Sequence, residues 1–209
     1  MFSSRTSRLT EFILLFYALP ILIYFDPFKL PKIPVLLFAA AYVIYALRTD
    51  ASFDNRLFWN FDGFRKSYKE TARRIAVISP YIFLLVLFFW KSMLFGFVMD
   101  HFWLWLAVII LYPVFSAYPQ ELIYRVFFFH RYSVLFGKPW VMILMSALSF
   151  GFLHIIYRNW IAVAFTFCGG IIFAVSYYRN RSAAAVTFEH GFYGDLIFTL
   201  GIGGFFYNG

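Results

Sequence analysis

Residues 104–131 read LWLAVIILYPVFSAYPQELIYRVFFFHR. Most of this stretch suits a lipid bilayer. Yet Gln120, Glu121 and Arg125 stand in the middle of it, with His130 and Arg131 just after. An ionised carboxylate buried in hydrocarbon is costly unless it is paired or put to use. Glu121 and Arg125 are four residues apart with the carboxylate on the N-terminal side, the favoured order for a helical ion pair. Pro119 lacks an amide proton and fits the first turn of a helix or a kink in a longer one. In its plainest reading the stretch is a helix near the membrane edge with one structural salt bridge.

The rest of the chain agrees with a bilayer. It has 209 residues, 63% hydrophobic, 25% aromatic and only 13% charged. A soluble domain is nearer half apolar and a quarter charged, and could not hide 31 Phe, 15 Tyr and 6 Trp. The apolar runs are continuous rather than alternating, which argues against a transmembrane barrel. The expected fold is all-α, a polytopic transmembrane bundle of about seven or eight helices. Spans are expected near 10–25, 33–48, 75–99, 101–118, 140–157, 160–178 and 183–206. Arg5 and Arg8 precede the first apolar run and no small-x-small cleavage site follows, so an uncleaved first helix is expected. In residues 49–74, Phe53, Leu57, Phe61, Phe64 and Tyr68 recur every three or four positions, away from Arg65, Lys66 and Lys69. That pattern predicts an amphipathic helix on the membrane surface. Residues 1–100 form a peripheral part and 101–206 the core.

The net charge of +8 would suggest nucleic acid in a soluble protein, but here basic residues flank membrane segments and set orientation. With the N-terminus inside, the inner segments carry Arg5, Arg8, Arg48, Arg56, Arg65, Lys66, Lys69, Arg73 and Arg74. Arg125, Arg131, Lys138, Arg179 and Arg181 join them. The outer segments carry only Lys29, Lys32 and Arg158, and Lys91 falls inside a span. An integral protein of the cell (inner) membrane with a cytoplasmic N-terminus is expected, with no nucleic-acid partner. The one cysteine, Cys168, excludes an intrachain disulfide and is expected in helix packing beside Gly169 and Gly170. The oligomeric state is left open.

Three polar positions share a depth. Leu135–Pro139, LFGKP, should reverse the chain. Glu121 lies 14 residues before Leu135 and His154 lies 14 after Trp140, so each is about 21 Å along a helix from the same turn. The chain returns through 160–178 to Arg179–Arg181, and His190 follows about 13 Å past that turn, level with the first pair if the 135–139 turn projects by a turn or two of helix, with Glu189 and Asp195 near it. A lone membrane histidine is more often a packing or hydrogen-bonding residue. Two of them converging with a glutamate point to function. Glu and His can activate water, and a second His can donate to the oxyanion formed when water attacks an amide carbonyl. That is peptide hydrolysis without a nucleophilic side chain and without a cofactor. Zinc held by Glu121, His154 and His190 is the rival, although no HExxH is present. Proton or ion transport is a third reading, weakened by the absence of paired broken helices.

Three motifs carry a resemblance. Gln120-Glu121-Leu-Ile-Tyr-Arg125, Phe150-Gly-Phe-Leu-His154 and His190-Gly-Phe-Tyr-Gly194-Asp195 occur in that order. They resemble the CAAX prenyl-protease and bacteriocin-processing (CPBP) family of intramembrane proteases. Its pattern is Glu-Glu-x-x-x-Arg, then Phe-x-x-x-His, then His-x-x-x-Asn or Asp. The resemblance spans about 100–206. It implies a glutamate-dependent endopeptidase acting on a membrane-associated peptide or protein, with Glu121 as base, His154 positioning water and His190 in the oxyanion site. Gln120, Arg125 and Asp195 would support them. Two departures stand out. The family's first glutamate is Gln120, whose amide cannot take a proton from water. Four residues past His190 stands Gly194, and Asp195 comes one place later. The alternative is therefore a catalytically inactive member that binds peptides or membrane proteins.

Overall fold

The computed structural model describes residues 4–25 and 31–207, so Lys29 lies outside the described residues. Among these, the chain folds as nine helices and no strands. They are α1 (Arg5–Phe25), α2 (Lys32–Arg48), α3 (Phe61–Phe89), α4 (Gly96–Asp100) and α5 (Phe102–Arg131), then α6 (Ser133–Phe136), α7 (Pro139–Tyr157), α8 (Trp160–Asn180) and α9 (Ala183–Thr199). Helices α1, α3, α5, α7 and α8 are long and apolar enough to cross a membrane. Helices α2 and α9 have 17 residues each, about 25 Å of rise, and need flanking polar groups to reach both interfaces. Phe38, Phe88 and Trp103 point outward and are more than three-quarters exposed, which is intelligible only if lipid covers them. The all-α bundle is as expected from composition.

Three boundaries differ from the sequence reading, one of them the end of α5, which runs past the expected 118 to Arg131. Residues 49–60 are a loop with a short 3-10 turn at Asn55–Phe58, and the amphipathic stretch after it is the first half of α3. Asn60 starts that helix by accepting from the Gly63 amide. Nothing between Thr71 and Ser79 breaks a backbone, so the polar-to-apolar change at residue 75 changes the surroundings and not the helix. Third, α3 ends at Phe89, and Lys91 sits exposed in the turn beyond it. Cys168 also differs from expectation: it is exposed on α8, while Gly170 makes the close approach. A Cβ on Gly170 would lie 3.0 Å from the Ala147 Cα, so α7 and α8 pack backbone to backbone there. The LFGKP turn reverses the chain as predicted, with Gly137 at φ +57°.

The main core cluster is built on α5 and closed by α1, α2, α7, α8 and α9. Phe16 packs edge-on to Tyr124 at 5.2 Å and to Phe128 at 5.3 Å. Val43 and Leu47 of α2 are buried in the same cluster. Charged contacts tie the helices together at their ends. Arg131 donates to both oxygens of Glu11, at 3.1 and 2.8 Å. Arg74 of α3 donates to both oxygens of Glu189 in α9, at 2.8 and 2.9 Å.

Candidate active site

The site begins with two prolines in α5. Neither Pro113 nor Pro119 can donate an amide, and the helix absorbs the loss by widening. The Tyr118 amide reaches back five residues to Pro113 O, and the Phe128 amide five residues to Ile123 O. Such π turns shift the phase of the side chains that follow. Here every residue from Pro119 to Phe129 is buried, including Gln120, Glu121 and Arg125. Adjacent residues on a helix diverge by about 100°, and Gln120 and Glu121 accordingly face different partners.

Glu121 faces α9. Its Oε1 lies 2.8 Å from His190 Nδ1, and its Oε2 lies 3.2 Å from Arg125 Nε. A carboxylate only accepts, so Nδ1 carries the hydrogen and donates to it. Nε2 of the neutral ring then accepts from the Tyr112 hydroxyl, 2.9 Å away. The imidazole is stacked on Phe173 at 4.7 Å and lies edge-on to Phe150 at 5.5 Å. Arg125 is fully buried. Its guanidinium lies 4.6 Å over the Phe150 ring and 5.6 Å over Phe173, so two π faces join Glu121 around this charge.

His154 stands on the far side of Phe150, with ring centroids 4.9 Å apart. It closes α7, and its Nδ1 donates to Phe150 O at 2.8 Å, which leaves the Nε2 lone pair available. His154, Gln120 and Ser116 are polar groups lining a cavity of about 100 Å³ between α1, α2, α5 and the end of α7. Its other walls include Leu15, Leu19, Leu36 and Tyr124. Gln120 Nε2 donates to Ser116 Oγ at 2.8 Å, while Gln120 Oε1 is buried with no partner.

The fold therefore brings Glu121, Arg125 and His190 into direct contact and sets His154 one aromatic ring away. Gln120 is next to His154 on the cavity wall. Asp195 is not joined to His190: its backbone oxygen accepts from Thr199, and its Oδ1 is buried without a partner. Among the described residues Lys91 makes no ion pair with it. Two contributors escaped the sequence reading. One is Tyr112, whose only local signal is an aromatic residue before a proline. The other is Arg74, which neutralises Glu189 from 115 positions away and has no local signal at all.

Residues 101–194 match the model of a known family, the type II CAAX prenyl endopeptidases described as Rce1-like. This part of the chain is similar to that family. The matched segment holds the first two motifs and the third as far as Gly194, and bears out the CPBP resemblance. No curated protein and no solved structure matches the chain. The apolar helices make this an integral membrane protein, and its segment 101–194 is similar to the CAAX-type endopeptidases.

Proposed function

We propose that the chain is a membrane endopeptidase that hydrolyses a peptide bond of a membrane-associated substrate, using Glu121, His190 and His154 without a metal. The contact that carries this reading is the 2.8 Å bond between Glu121 and His190, with His154 across Phe150. His154 Nε2 holds water by accepting from it. As the water oxygen bonds to the carbonyl carbon, the Tyr112 hydroxyl turns from Nε2, the water proton passes to that nitrogen, and Glu121 neutralises the imidazolium. The new Nε2–H then donates to the oxyanion and passes to the leaving amine as the C–N bond breaks. Glu121 thus acts as base through the ring it holds, with Arg125 beside it as its counter-charge. The protein sits in the cell membrane with its N-terminus in the cytoplasm.

Zinc fits this donor set poorly. Glu121 and His190 direct their facing atoms at each other, and the second carboxylate oxygen is directed at Arg125.

The experiment is cleavage of membrane-associated peptides by purified protein in lipid. Glu121→Gln should lower kcat by about a thousandfold, and His154→Ala by about a hundredfold. Chelators should leave the rate unchanged, and a zinc-restored loss would defeat the metal-free scheme. Gln120, at the cavity beside His154, favours a second reading as a binding factor. If the wild type cleaves nothing and Gln120→Glu creates activity, that second reading replaces the first.

A further inference from the structure

Two glycines on one face of α9 make a groove. A Cβ on Gly191 would lie 3.2 Å from the Pro113 Cβ. A Cβ on Gly194 would lie 2.7 Å from the Tyr112 hydroxyl oxygen and closer still to two ring carbons. Residues three apart share a helix face, so Gly191 and Gly194 together seat Tyr112 and Pro113 of α5 against α9. The tyrosine ring is backed by Phe198 at 5.8 Å and meets the His190 ring edge-on at 5.9 Å. Its hydroxyl ends 2.9 Å from Nε2. Position 194 is where the family pattern has Asn or Asp. In this chain the phenol fills that volume, and Asp195 makes no bond to the ring.

We propose that Tyr112 is the positioning residue of His190, entering from α5 the space that Gly194 leaves open on α9 and holding the ring through its hydroxyl. Glu121 holds Nδ1 and Tyr112 holds Nε2, so the imidazole is fixed at both nitrogens in the tautomer whose Nε2 lone pair can take a proton. This builds on the reading of His190 as a site residue. It also makes Gly194 a consequence of the tyrosine: a side chain at 194 and a ring at 112 exclude each other.

The test uses the full-length protein in lipid nanodiscs, labelled with ¹⁵N-histidine. Tyr112→Phe keeps the ring and removes the hydroxyl. The His190 Nε2 resonance should move while the melting temperature stays close to that of the wild type. On a cleaved peptide, kcat should fall about tenfold with KM unchanged, the scale of one hydrogen bond. Gly194→Asn alone should lower both stability and activity, and Tyr112→Ala combined with Gly194→Asn should recover them. An unmoved His190 resonance in Tyr112→Phe overturns the proposal whatever the activity. A moved resonance in a protein that cleaves nothing supports the tyrosine's hold on the ring and removes the hydrolytic reading instead.

Discussion

Arg125 shows what the buried charges cost and why they persist. Its guanidinium has no solvent exposure, one carboxylate oxygen at 3.2 Å and two aromatic faces. Removing the carboxylate leaves a cation buried with only ring faces. Glu121→Leu should therefore destabilise by about 3–5 kcal/mol. Glu121→Gln keeps an acceptor for the His190 N–H and should lose less. Combining Glu121→Leu with Arg125→Met should recover most of the loss, because a buried ion pair replaced by apolar groups of similar size is often neutral. Thermal unfolding in detergent or nanodiscs measures all three. Recovery in the double variant would mean that the pair is kept for what it does to His190 rather than for stability. The pairing of Glu121 with Arg125 was legible from a four-residue spacing. The bond of Glu121 to His190 was legible only as a shared depth. That Gln120 would take the cavity side and Glu121 the α9 side was not, because π turns set the phase and prolines only hint at them.

Elements are held in register by charges that sequence patterns do not pair. Arg74 and Glu189 join α3 to α9 one residue before His190, and Ser176 and Glu70 also contact the arginine. Glu189 is fully buried, so Arg74→Ala strands a carboxylate and should cost about 3 kcal/mol or more. Glu189→Gln in that background should restore part of it, read as the shift in melting temperature. The loop 49–60 is pinned differently. Asp50 accepts from the Ser52 hydroxyl at 2.6 Å and amide at 2.9 Å, and lies 3.0 Å from His130 Nε2. These partners, the Ser52 hydroxyl first, hold its carboxyl well below the usual range. A carboxylate depressed by folding contributes stability that is present above its ordinary pKa and disappears as pH falls through the folded value. Wild type should therefore lose stability on the acid side below about pH 4, and Asp50→Asn should flatten that limb in a pH series of melts. The segmentation of the chain was the least legible feature. Hydropathy marks where lipid begins, whereas α3 meets no breaker between Thr71 and Ser79 and α5 absorbs its prolines in π turns, so both run on through polar stretches.

For the whole molecule, the distribution of charge decides which way the site faces. The exposed Arg65, Lys66 and Lys69 open α3, and Lys91 follows its far end, so the two ends of one helix stand on opposite sides of the bilayer. Basic residues are held back from translocation, which predicts that the crowded end is cytoplasmic. The same argument predicts Arg5 and Arg181 inside and Arg158 outside. Loop residue Trp59 accepts from the Ala184 amide near the start of α9, and Arg158 donates to Tyr24 O at the end of α1. The orientation can be read directly in a Cys168→Ala background, since Cys168 is exposed. A membrane-impermeant maleimide added to intact cells should label Lys91→Cys. It should label Lys66→Cys only after lysis. The reverse pattern would put the N-terminus outside and invert every loop together, because nine packed helices cannot reorient one at a time.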